Sequence, residues 1–168
     1  VNIPGLSAEI MERLKPHLQL SETVGLLVSQ LAGGHVKEME LRLQGEFASH
    51  PSQPLVIAAL KGLLSAALGD SINFVNASLE AKARGIQVLE VKDESSRDFA
   101  GGSLQITTRG DQGDRCVTGA VFADGELRIT SIDEFPVNVS PSRHMLFTRH
   151  RDMPGIIGHL GSMMGEHN

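Results

Sequence analysis

Residues 55–68 constrain this chain more than any other stretch. They read Leu-Val-Ile-Ala-Ala-Leu-Lys-Gly-Leu-Leu-Ser-Ala-Ala-Leu, almost wholly apolar and small, which predicts a helix buried on most of its circumference. Such a helix needs protein packed around it. Pro51 and Pro54 bracket a turn before it, and Gly69-Asp70 ends or kinks it. A second helix is predicted over residues 18–31, where Leu20, Val24, Leu27, Val28 and Leu31 fall at i, i+4, i+7, i+8 and i+11. That is an amphipathic stripe, and it also needs a partner surface. Ser21 and Glu22 supply a capped start and Gly33-Gly34 a stop, while Pro16 keeps anything helical before it short.

Elsewhere the dominant period is two. Over residues 35–48, Val36, Met39, Leu41, Leu43 and Phe47 are interleaved with Lys37, Glu38, Glu40, Arg42 and Gln44, which reads as a strand with one wet face. Residues 72–84 look like a further helix, capped by Asn76 or Ser78, with Glu80, Lys82 and Arg84 outward and Gly85 as its stop. After Gly85 strands are predicted over 86–91, 104–108, 115–123, 127–132 and 135–139, separated by a polar loop at 93–102, a turn at 110–114 and a hairpin turn at Asp124-Gly125. The order predicts an α+β fold, an antiparallel sheet with helices packed on one face. Pro141-Ser142 reads as a linker before a short strand at 145–148. Pro154 then suits the first turn of a helix striped by Ile156, Ile157, Leu160, Met163 and Met164. A lone β-α unit of that length cannot bury its own apolar face. The expected organisation is therefore a helical tail (1–33), one whole α+β domain (34–141) and the opening of another domain (142–168), all within a longer protein.

With 40% hydrophobic and 21% charged residues a real core can form. Aromatics are 4%, with no Trp or Tyr, so that core is aliphatic and base-stacking platforms are scarce. A net charge of -5 argues against nucleic acid as a partner. No apolar run approaches the ~20 residues of a membrane span, and no basic region precedes an apolar one at the N-terminus. The expectation is a soluble, cytoplasmic protein with no membrane partner. The single cysteine, Cys116, excludes a disulfide framework and reads as a small buried hydrophobe in a strand.

No Gly-rich phosphate loop, nucleophile elbow or His-Glu-x-x-His pattern is present, so no catalytic residue is assigned. Seven His residues are scattered along the chain and no metal site is assigned. His144 and His150 flank one predicted strand, and a solvated loop pair is the simpler reading. Asp93, Glu94 and Asp98 read as a solvated acidic loop. The spacing does offer an amino-acid site: a zwitterion needs an acceptor for its ammonium, which Asp152 supplies, and a positive field for its carboxylate, which a helix start near Pro154 supplies. On spacing alone the alternative, a plain N-cap role for Asp152, is the simpler one.

Arg149-His150-Arg151-Asp152-Met153-Pro154-Gly155-Ile156-Ile157-Gly158 resembles the opening of an ACT domain, a ferredoxin-like βαββαβ module that binds regulatory amino acids. Leu60-Lys61-Gly62-Leu63-Leu64 and Ile72-Asn73-Phe74-Val75-Asn76-Ala77, followed by Arg84-Gly85-Ile86, resemble the intervening (allosteric substrate-binding) domain of long-form D-3-phosphoglycerate dehydrogenases. Val1-Asn2-Ile3-Pro4 and Leu18-Gln19-Leu20-Ser21-Glu22 are similar to the end of their catalytic half. The resemblance covers essentially the whole chain. It implies a parent enzyme that uses NAD to oxidise 3-phosphoglycerate in serine biosynthesis, with its nucleotide fold and catalytic residues before residue 1, so that this chain holds no cofactor and is not itself the catalyst. It also implies a regulatory and oligomerisation role: serine bound at His150 and Asp152, and a phosphorylated acid or other anion bound at Arg128, with Arg143 as a substitute second cation. Homo-oligomers and these small effectors are the implied partners. A further family Asn would lie just past Asn168, so serine binding by this chain alone is expected to be weak or absent. The alternative is the related intervening domain of an iron–sulfur L-serine dehydratase, and the segment through Leu31 favours the dehydrogenase.

Overall fold

The computed structural model describes residues 8–94, 99, 102–151 and 153–166. Its longest element is α1 (Ala8–Ala32), followed by β1 (Val36–Gln44), the one-turn α2 (Glu46–Ser49), α3 (Ser52–Leu68) with a 3-10 turn, and α4 (Ala77–Ala83). Then come β2 (Gln87–Asp93), β3 (Ser103–Gly110), β4 (Arg115–Val121), β5 (Leu127–Ile132), β6 (Phe135–Val139) and α5 (Ile156–Glu166). The strands form one six-stranded sheet in the order β2-β1-β3-β4-β5-β6. The α+β class is as expected, with one difference. β2 runs parallel to β1 at the sheet edge, and every other neighbouring pair is antiparallel. Between β1 and β2 the chain passes through α3 and α4, a connection long enough to return it to the same end of the sheet.

Alternation on the strands sets the two faces. Met39, Leu41 and Leu43 of β1 pair in register with Thr108, Ile106 and Leu104 of β3, all buried on the helix-covered face. The intervening residues carry a polar network on the other face. Arg109 pairs with Glu38 and donates to Glu40 at 3.1 Å, Arg42 donates to Glu40 at 3.1 Å, and Ser103 donates to Gln44 at 3.1 Å. Phe47, which the alternation places in the strand, is instead on α2 and fully buried; Gly45, at φ 59, turns the chain out of the sheet between them.

The long apolar helix of the sequence, α3, lies against α1, and glycines set how closely. A Cβ on Gly25 would stand 2.2 Å from the carbonyl oxygen of Ala59, and one on Gly62 would stand 2.0 Å from that of Glu22. The backbones approach as only hydrogen side chains permit. Lys61 pairs with Glu22 beside this contact and sits 5.0 Å from the Phe74 ring centroid. On its other side α1 lays Leu20 and Val24 over Gly119 of β4.

Four local expectations are corrected. α1 runs unbroken through Pro16, because Leu14, Leu18 and Leu20 on both sides of the proline are buried in the same core; that burial outweighs the ~3 kcal/mol a mid-helix proline costs. Ser21 is consequently no cap: its hydroxyl donates back to the His17 carbonyl at 2.8 Å. The helix expected over 72–84 is reduced to α4, since Asn73 Oδ1 accepts from the Val75 and Asn76 amides and Asn76 Oδ1 accepts from the Asn73 amide, closing a turn instead. Residues 145–148 form no strand, and none of the described strands pairs with them. The apolar stretch is also longer than expected: the 20 residues Ser52–Ser71 suffice in length and composition to cross a membrane, and in this fold Leu55, Ala58, Ala59 and Leu63 among them are buried in the common core.

Gly62→Ala is expected to cost about 2–3 kcal/mol in urea unfolding, because all three atoms its Cβ would meet are backbone and the helices must part. Gly161→Ala on α5, with nothing within 4 Å of its Cβ, should be neutral or stabilise by up to ~1 kcal/mol. The Arg109 guanidinium, followed by Arg42, holds the Glu40 carboxyl below its ordinary range against the opposing effect of burial. A carboxylate with a depressed folded pKa contributes fully above the unfolded value and loses its contribution as pH falls through the folded one. Glu40→Gln should thus lower the melting temperature at pH 7 by ~2–4 °C, and the gap should close as pH falls through and below the ordinary carboxylate range.

Candidate functional site

The strand ends β5 and β6 and the segment that follows the linker enclose a cleft of about 850 Å³. Its lining joins three arginines, Arg115, Arg149 and Arg151, with His150 and Asp133, over an apolar floor that includes Phe135, Val137 and Phe147. Arg115 is fixed by local structure. Its Nη1 bonds Asp133 at 2.9 Å and its Nε donates to the Leu31 carbonyl at 3.2 Å, tying the end of α1 to the β5–β6 turn. Asp133 takes the left-handed backbone region, φ 49, which Asp tolerates better than most residues. Its second oxygen accepts the Cys116 amide at 3.0 Å. Arg149 is held less firmly, 3.6 Å from Glu134 and with its guanidinium 5.3 Å from the Phe135 ring centroid. His150 is exposed, its Nδ1 3.1 Å from the Arg151 carbonyl. The cleft presents three guanidinium groups and an imidazole, a set that suits a carboxylate or phosphate.

Of the residues singled out in the sequence, His150 lies in this cleft and Asp152 lies outside the described residues. Arg128 is elsewhere, on β5, where it donates to Asn138 at 3.1 Å and Glu126 at 2.5 Å and stacks 5.5 Å from the Phe122 ring. Arg143 lines a separate cleft of about 710 Å³ against α1, which also contains Glu22 and Glu126. Glu126 thus pairs with Arg128 and lines the same cleft as Arg143, and an anion at Arg128 must displace or neutralise that carboxylate. Of the acidic loop, Asp93 ends β2 and Asp98 lies outside the described residues. Cys116 is half-buried rather than buried. Burial pushes its thiol up, against the hydrogen bond from the Thr107 hydroxyl at 3.6 Å, which keeps it protonated and unlike a nucleophile.

The fold also assembles a group that spacing along the chain did not reveal. His17 of α1 meets Glu46 and His50 at the two ends of α2, with their ligand-type atoms within 4.8 Å of one another. The available signal was the i, i+4 spacing of Glu46 and His50, hidden in a stretch whose alternation reads as strand.

The chain is similar to known proteins over its whole length. The family model described as the D-3-phosphoglycerate dehydrogenase intervening domain matches residues 13–133, from within α1 through β5. A D-3-phosphoglycerate dehydrogenase of Synechocystis is 56% identical over all of this chain and 30% of that protein. Those of Archaeoglobus fulgidus and Methanocaldococcus jannaschii are 32% and 34% identical, over 100% and 99% of this chain. The chain spans about a third of the length of these relatives. The family-model match takes in residues 13–133, more than half of the chain, and the chain belongs to the family of D-3-phosphoglycerate dehydrogenase intervening domains.

Proposed function

We propose that this chain is the regulatory and oligomerisation region of an NAD-dependent D-3-phosphoglycerate dehydrogenase, the cytoplasmic enzyme that oxidises 3-phosphoglycerate for serine biosynthesis. The observation that carries a regulatory reading is the cation-lined cleft beside the linker, where the sheet domain hands over to the segment bearing His150. An effector with a carboxylate or phosphate bridges Arg115, which is anchored to the sheet, and Arg149 or His150, which are not. Its binding energy then favours one placement of the following segment over others, and that is how a small acid is sensed mechanically. Serine meets this need through its carboxylate, and a phosphorylated acid does so more strongly.

Reaction chemistry belongs to the remainder of the parent protein. NAD does not fit the residues present: the turn after β1 offers a single glycine, Gly45, where a dinucleotide needs a Gly-rich loop opening a long helix. Oligomerisation is supported by Leu146, Ile157, Met163 and Met164, all large and 49–72% exposed, on and before a helix with no buried residue. The iron–sulfur dehydratase alternative is not favoured by relatives that are named as dehydrogenases.

Calorimetry on the full-length enzyme should detect binding of L-serine or phosphohydroxypyruvate. His150→Ala should weaken the serine response at least tenfold, and Glu126→Gln should strengthen any anion response that uses Arg128. Absence of heat with both ligands would remove the regulatory reading. The 168-residue chain alone should give a weak or absent serine response. Ile157→Asp should lower the oligomeric mass of the full-length enzyme in light scattering, and an unchanged mass would remove α5 from the interface.

A further inference from the structure

The group of His17, Glu46 and His50 lies apart from the cleft, and its chemistry is of another kind. His17 is anchored inside the fold at 4% exposure. Its ring packs edge-on against fully buried Phe47, centroids 4.4 Å apart, and against His50, centroids 4.7 Å apart at 71°. His50 Nε2 and Glu46 Oε1 are 3.8 Å apart, with side-chain exposures of 21% and 48%. The three donors thus come from two separate elements, with one end of the group buried and the other open to solvent at the carboxylate.

We propose that His17, Glu46 and His50 form a binding site for a divalent transition-metal ion of the zinc type. Two neutral imidazoles and a carboxylate are a donor set that zinc accepts, and three protein ligands leave a fourth position to water. Bonds of ~2.0–2.1 Å in a tetrahedral arrangement place donors ~3.3 Å apart. The observed spread of 4.8 Å therefore has to close by about 1.5 Å, which rotation of the two partly exposed side chains, Glu46 and His50, supplies. Their backbone is already set. Gly45 donates to the Asp93 carbonyl at 3.1 Å on one side of α2, and Lys92 donates to the His50 carbonyl at 3.3 Å on the other. The exposed carboxylate is the entry path. The bound ion ties α1 to the β1–α2 junction, so it acts as a staple on the fold, independent of the effector cleft.

The test is zinc titration of the full-length enzyme after chelator treatment, by calorimetry and by thermal unfolding, with Co(II) absorption as a readout of four-coordinate nitrogen and oxygen ligation. Wild type should bind one ion per chain at this site and melt at a higher temperature with zinc. His50→Ala should lose that equivalent, and the isosteric Glu46→Gln should weaken it 10–100-fold. Both variants alter partly exposed side chains, and circular dichroism without metal should show them folded with melting temperatures near wild type. Equal stoichiometry and affinity in wild type and both variants overturns the proposal, as does a wild type that binds no zinc. Serine or phosphohydroxypyruvate titrations of the same variants should be unchanged, which separates failure here from failure of the regulatory reading.

Discussion

The contact between α1 and α3 at Gly25 and Gly62 is the constraint on which the architecture rests. Each glycine faces a backbone carbonyl of the other helix at a distance no Cβ could occupy. Two helices brought that close form a single thin layer, and a single layer covers one face of a six-stranded sheet. Hence Met39, Leu41, Leu43, Leu104, Ile106 and Ile129 can all be buried from one side. The burial also explains why Pro16 is tolerated: α1 is held by what lies under it rather than by its own hydrogen bonds.

Covering one face leaves the other to be stabilised by polar groups. Arg109 and Arg42 gather Glu38 and Glu40 there, and Thr107 and Thr118 engage their cross-strand neighbours. The two side-chain groups proposed above as ligand sites lie at the margins: the arginine-bearing cleft at the β5–β6 end, and the His17, Glu46 and His50 group where α1 passes the β1–α2 junction. At one margin the chemistry favours anions and at the other a cation. They are built on different pairs of elements, so neither requires the other.

Much of the fold was legible along the chain. Strands at 127–132 and 135–139 have the expected bounds, and the burial of Leu55, Ala58, Ala59 and Leu63 follows from an apolar helix with few polar positions. The misreadings share one cause. Local preference misleads at Pro16, Ser21 and the asparagines at 73 and 76, where contacts beyond the local window or side-chain hydrogen bonds that compete with helix decide the structure. The candidate site was legible only in part. His150 stands out beside its arginines, whereas the pairing of Arg128 with Glu126 and Asn138 comes only from the folding of β5 against its neighbours.

Periodicity by itself determined which residues are apolar on which face, and with it the α+β class, the helix burial and the polar outer face, because side-chain direction along a helix or strand is a local property. The tertiary structure decided the parallel placement of β2, the continuity of α1 through Pro16 and the meeting of His17 with Glu46 and His50. Each of these depends on segments distant in the chain being brought together, and the close glycine crossing of α1 and α3 sets where they meet.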